Sequence, residues 1–193
     1  MHTFQIPLLD GSPWETIPSI ALLDTVTGRP PSQATHVRLA RSSQALHIHF
    51  AVEDTYAWAT LTERDGPLWT EEVVEVFLDP VGDGEGYYEW ELNPLGTVLD
   101  LVLRRSRSGY RKDFRWQCAD LETRAETTST GWVAEFVIPF HSIVSAPPQP
   151  GEEWRANFCR IDRPRDGARE LSAWSPTGMP LFHVPSRFGR VRF

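Results

Sequence analysis

The stretch Leu68–Leu103, LWTEEVVEVFLDPVGDGEGYYEWELNPLGTVLDLVL, reads as three consecutive strands. Val74, Val76 and Leu78 alternate with Val73, Glu75 and Phe77, and Asp79-Pro80-Val81-Gly82-Asp83-Gly84 then supplies turn residues. Tyr88, Trp90 and Leu92 alternate in turn with Glu89, Glu91 and Asn93. Successive side chains of a strand point to opposite faces. If the apolar members face one core, Glu75, Glu89, Glu91 and Asn93 share the other face, next to a loop that carries Trp69.

The same period extends outward. Leu46, Ile48, Phe50 and Val52 alternate with His47, His49 and Ala51, after Val37 and Leu39 and a Ser42-Ser43-Gln44 turn, which is the pattern of a hairpin with one apolar face. Gly131 opens another strand, with Trp132, Ala134, Phe136 and Ile138 against Val133, Glu135 and Val137. Trp154, Ala156 and Phe158 alternate with Arg155, Asn157 and Cys159 in the last strong one. Phe114–Cys118 and Ala119–Ala125 read as a weaker pair of strands, Arg104–Lys112 as a basic exposed connection, and Thr55–Thr70 as a long loop or short helix. Pro13, Pro18, Pro30 and Pro31 preclude a long helix at the start, where Trp14 and Ile20–Leu23 strap one sheet. Short strands between Gly/Pro turns, with no long amphipathic helix, predict an all-β, antiparallel β-sandwich of jelly-roll type.

The chain of 193 residues suits one domain, expected over 1–193. Its net charge of −7 argues against nucleic acid or an anionic membrane as the main partner. No run of about 18 apolar residues marks a membrane span, and no basic, apolar leader is visible, so the default location is cytoplasmic. Two cysteines, Cys118 and Cys159, read as buried free thiols, with one disulfide the alternative.

Eight tryptophans are present. Trp90, Trp132 and Trp154 are in phase with apolar strand neighbours and belong in the core. Trp69 and Trp174 instead lie in loops with polar flanks, as stacking surfaces for a ligand or as caps over the core. The acidic row also has two readings. It is a solvated sheet face, or, since glutamate is depleted in strands and like charges repel across a sheet, a site whose charge a cation or ligand compensates. Arg160, which breaks the alternation of its strand, is the candidate cation. DPVGDGEG lacks the spacing of a twelve-residue calcium loop and reads as a hairpin turn. His47 and His49 read as solvated histidines, and His183 as a residue that fixes a loop. No GxSxG, P-loop, dinucleotide fingerprint or HExxH is present.

The chain resembles the family 9 carbohydrate-binding modules and, more broadly, the family-9-like proteins that share their sandwich with the DOMON superfamily. The resemblance is carried by Thr35–Arg38, Leu46–Asp54, Leu68-Trp69, Val74–Pro80, Tyr88–Pro94, Asp100, Asn157–Asp162, Trp174-Ser175-Pro176, Phe182–Pro185 and Phe188-Gly189. It implies non-catalytic binding of a mono-, oligo- or polysaccharide, with a sugar ring stacked between Trp69 and Trp174. Glu75, Glu89, Glu91, Asn93 and Arg160 are then the hydrogen-bonding groups. It implies no cofactor, and calcium only as a structural ion near Asp79 or Asp54. Glu89 stands where those modules direct an arginine at the sugar, so their preference for a reducing-end glucose or cellobiose does not carry over with the resemblance. Two rivals remain. One is a glycoside hydrolase using two of the three glutamates. The other is a haem-binding module of DOMON type, which needs axial ligands of the Met/His kind.

Overall fold

The computed structural model describes residues 2–9, 11–164 and 168–193. Its first strands are β1 (Thr3–Gln5), β2 (Ser19–Ala21), β3 (Leu23–Asp24), β4 (Thr35–Arg41) and β5 (Ala45–Glu53). β6 (Val73–Asp79), β7 (Gly86–Leu92), β8 (Val98–Ser106), β9 (Gly109–Asp113) and β10 (Glu122–Thr127) follow, then β11 (Gly131–Pro139), β12 (Glu153–Asp162), β13 (Glu170–Ala173) and β14 (Gly189–Arg192). The remaining helical structure among the described residues consists of single 3₁₀ turns, and no helix is long and apolar enough to cross a membrane.

The strands form two sheets. The larger runs β1-β14-β12-β6-β7-β8-β9, with β13 added to the second half of β12 and β3 to β13; the smaller runs β10-β11-β5-β4-β2. Pairing is antiparallel except between β1 and β14. The three strands read from the central stretch are β6, β7 and β8, in order and hydrogen-bonded side by side.

Period-two patterning places the core. Val74, Val76, Leu78, Trp90 and Leu92 of the larger sheet meet Ile48, Phe50, Trp132 and Phe136 of the smaller one, and Phe50 packs edge-on against Phe158 with ring centroids 6.4 Å apart. Burial of these side chains is the main stabilising term, at roughly 1.5–3 kcal/mol for each large apolar group. The outer face of the larger sheet is covered as well. Phe77, Tyr87, Leu99, Leu101 and Leu103 pack under Leu68, Phe182 and Phe188, so the segments before β6 and after β13 fold back over this face. Cys118 lies in the inter-sheet core and Cys159 on the outer face, both as buried free thiols.

Three local expectations are corrected. Arg104–Lys112 is not an open connection, because β8 continues to Ser106 and returns as β9 through a turn closed by the Ser106 hydroxyl donating to the Gly109 carbonyl. Residues 114–121 are irregular, and the strand predicted over Ala119–Ala125 begins only at Glu122. His49 is not solvated: it lies beneath the Trp14 ring, with centroids 5.1 Å apart, and burial holds its pKa down.

Candidate functional site

β6 and β7 pair in a register that sets Glu75 directly opposite Glu91 and Phe77 opposite Glu89. Glu89 and Glu91 are two residues apart on one strand, so the three carboxyls converge on the outer face. They offer oxygens that lie within 4.8 Å of one another. Exposure is 3% for Glu75 and 1% for each of the others, so the row is not a solvated face. The carboxyls form the floor of a cleft of about 270 Å³. Trp69 stands on its wall beside Leu171, Leu181 and Phe182.

The wall is held by its own wiring. Trp69 sits on a single 3₁₀ turn, Leu68–Thr70, anchored by buried Leu68 and by the Thr70 hydroxyl donating to the Pro67 carbonyl at 2.7 Å. Next along the chain, Glu71 accepts from the backbone N–H groups of Thr60 and Leu61 and from the Thr60 hydroxyl. Glu72 reaches inward to Arg160 and accepts from the Arg163 N–H. Two glutamates thus clamp the segment that presents Trp69.

Cations edge the carboxyl floor. The Lys112 ammonium lies 3.8 Å from Glu89 Oε2 and 5.2 Å from the centre of the Trp69 ring. Lys112 pairs with Leu103 across the β8–β9 hairpin, which puts it in phase with the outer face. The chain's one lysine was therefore hidden from sequence reading by the missed hairpin. Arg169 also lines the cleft. His183 does more than fix a loop. Its Nδ1 shares a 2.9 Å hydrogen bond with the Tyr87 hydroxyl, and its Nε2 lies 3.9 Å from Glu89 Oε1.

Burial governs the protonation of the floor. Removal from water raises the carboxyl pKa of Glu75 and Glu91 well above 4.5, and their negative neighbours add to the effect. Glu89 is pushed up to about 7 by the same loss of water, with Lys112 opposing. Burial, followed by the Lys112 charge, lowers His183 to about 4, so the imidazole is neutral at pH 7. The acidic row thus lies in a pocket that raises carboxyl pKa values, the setting a general acid would need. A hydrolytic pair places an acid and its partner carboxylate on two sides of the scissile bond, whereas these three carboxyls converge on one spot.

The structure brings Trp69, Glu75, Glu89 and Glu91 together and leaves Trp174, Asn93 and Arg160 elsewhere. Trp174 is 5% exposed and lies in the inter-sheet core against Phe158, with ring centroids 5.6 Å apart. The reason is register. Ala173 pairs with Cys159 on the outer face, so the next residue turns inward. There its indole presses on Gly189, where an added Cβ would come within 2.7 Å of the ring. The expected facing pair of tryptophans is not formed.

Arg160 is also on the inner face, in phase with Trp154, Ala156 and Phe158. It donates to Asp54 at 2.7 Å, to Glu72 at 2.9 Å and to the Glu53 carbonyl at 3.0 Å, with Asp162 at 3.4 Å. It is the compensating cation of a different acidic group. Asn93 lies just past the end of β7 and caps the turn that follows. Its Oδ1 accepts from the Leu95 and Thr97 N–H groups, and its amide donates to the Leu61 carbonyl.

The two carboxylates suggested for a structural calcium, Asp54 and Asp79, both already accept hydrogen bonds from the protein, and Asp54 also groups with Glu72 and Asp162. Asp54 accepts from Arg160 and from the Tyr56 N–H, so a guanidinium already fills its surroundings. Asp79 accepts from the N–H groups of Gly82 and Gly84, as the hairpin turn demands.

Residues 25–193 match the family described as carbohydrate-binding family 9. Over 100% of this chain and 99% of its own, a protein from Bacteroides uniformis ATCC 8492 shares the fold, with a TM-score of 0.79 and 21% identity. A family 9 module from Caldicellulosiruptor kristjanssonii, solved with glucose, superposes with a TM-score of 0.71 over 98% of this chain and 94% of its own, at 14% identity. The same organism's family 9 module with cellotriose gives 0.72, over 98% and 92%, at 14% identity. No match is found among curated proteins.

Proposed function

The chain belongs to carbohydrate-binding family 9, and on that premise we propose that it is a non-catalytic module that holds a sugar ring in the cleft between Trp69 and the Glu75–Glu89–Glu91 floor. The observation that carries this reading is the meeting of an aromatic wall with buried, convergent hydrogen-bond acceptors. A pyranose has apolar C–H faces that stack on an indole and a rim of hydroxyls that donate to carboxylates. Leu171, Leu181 and Phe182 supply further apolar lining in place of a second tryptophan. Glucose and cellotriose, bound by the Caldicellulosiruptor modules, are the natural first probes.

Affinity is expected to be modest, because a hydroxyl bonded to protein was already bonded to water. The test is calorimetry of the folded protein against glucose, cello-oligosaccharides and a panel of other mono- and oligosaccharides. Trp69→Ala is expected to weaken binding by about 1–3 kcal/mol, the scale for truncating an aromatic anchor, with the fold retained. A sugar affinity untouched by Trp69→Ala and by Glu75→Gln would place the binding surface elsewhere.

A further inference from the structure

Three carboxyls converge in a cleft edged by two cationic side chains, so the carboxyls outnumber the cations. Lys112 engages Glu89 at 3.8 Å. Arg169 lies where its charge favours the ionised form of Glu75. Glu91 is left over. It is 1% exposed, it lines the cleft, and neither of its oxygens meets an N–H or hydroxyl donor among the described residues; Glu89 Oε2 also has no hydrogen-bond donor. Buried acceptors without partners are rare in folded proteins, because each carries its full desolvation cost.

We propose that the cleft selects a sugar bearing a positively charged amine, with its ammonium seated among Glu75, Glu89 and Glu91. This rests on the carbohydrate reading of the same site and narrows it. A neutral hydroxyl brings one donor and no charge, whereas an ammonium brings three donors, a charge, and no acceptor that would itself need a partner. Three carboxylate oxygens about 2.8 Å from one tetrahedral nitrogen stand roughly 4.6 Å from each other, within the 4.8 Å limit that holds for this trio.

The chain itself illustrates the preference. Its Lys112 ammonium rests beside Glu89 and over the Trp69 ring, and a carboxylate next to an aromatic face is a favourable seat for a cation. A calcium ion at 2.3–2.6 Å from its ligands would also fit three such oxygens, but it takes six to eight oxygen ligands. The walls here offer Leu171, Leu181 and Phe182 instead. These suit the body of a ring.

The experiment is calorimetry at pH 7 with glucosamine, glucose and N-acetylglucosamine, and with calcium chloride alone. Glucosamine is expected to bind at least tenfold more tightly than either neutral sugar. Glu91→Gln, checked for folding by circular dichroism, is expected to abolish that preference, with Glu89→Gln as the second variant should the first not fold. Equal or tighter binding of glucose would overturn the amine proposal and leave the carbohydrate reading standing. Calcium binding that Glu91→Gln removes, without any preference for glucosamine, would assign the trio to a metal instead. No binding of any sugar, amino or neutral, would overturn both readings.

Discussion

A tryptophan between two sheets and a tryptophan on the rim of a cleft respond differently to truncation. Trp174 fills space against Phe158 and Gly189, so Trp174→Ala opens a cavity that its strand-bound neighbours cannot close. It is expected to destabilise the fold by about 3–5 kcal/mol. Trp69 is half-buried, against the outer cluster, and its truncation should shift unfolding far less. Denaturant titration of both variants measures the contrast, and a Trp174→Ala protein as stable as the parent would contradict its core placement. Both residues lie outside strands and are followed in sequence by a hydroxyl-bearing residue, Thr70 and Ser175. Flanking polarity reports that a segment is a loop; it does not report which side of a sheet the loop's side chain crosses.

At the scale of elements, β12 joins the halves of the molecule. Along one edge it pairs first with β14 and then with β13, and along the other with β6. Arg160, near its end, ties it to β5 of the smaller sheet through the Glu53 carbonyl and to Asp54 just beyond. The same guanidinium holds Glu72, the residue that precedes β6, so the loop presenting Trp69 is anchored to the sandwich through an ion pair. Arg160→Met keeps much of the side-chain volume but leaves Asp54, Glu72 and Asp162 buried without their cation. A loss of about 3–5 kcal/mol is expected, the range for breaking a buried ion pair from one side. The unfolding midpoint of Arg160→Met checks this. A second consequence is specific to the clamp: sugar affinity should fall as well, although Arg160 touches no part of the cleft. Its face was readable in advance. Residue 160 is in phase with 154, 156 and 158, and a period-two count already separates it from Glu75, Glu89 and Glu91.

For the whole molecule the acidic floor is a stability term with a definite sign. Glu75, Glu89 and Glu91 face Lys112, Arg169, His183 and Tyr87, and the folded state holds all three carboxyl pKa values above the ordinary 4.5. A carboxyl whose folded pKa is raised binds its proton more tightly when folded, so its cost is absent below about pH 4.5 and grows as pH rises toward and past the folded value. For Glu89 that value is about 7. The double variant Glu75→Gln/Glu91→Gln is therefore expected to match the parent near pH 4 and to exceed it increasingly from about pH 5 to 8. Thermal unfolding of both proteins across that range, compared as a difference so that other titrating groups cancel, tests the sign. A difference that is flat with pH would mean that the trio is not strained by burial.

The alternation of Val74–Leu78 with Glu75 and of Tyr88–Leu92 with Glu89 and Glu91 determined the strands, their faces and the sandwich, because a pleated strand admits only two directions for a side chain. The same rule put the three glutamates together, since hairpin-linked neighbours share a register. What it could not supply was the cover on their face. Whether the glutamates meet water or a closed cleft depends on two segments about a hundred residues apart folding back over β6 and β7, and no local pattern encodes that distance. The places of Lys112, His183 and Trp174 were decided in the same way, by which strand or loop each segment meets. Those meetings set the desolvation and the crowding of carboxyls that give the site its chemistry, and they exist only once the chain is folded.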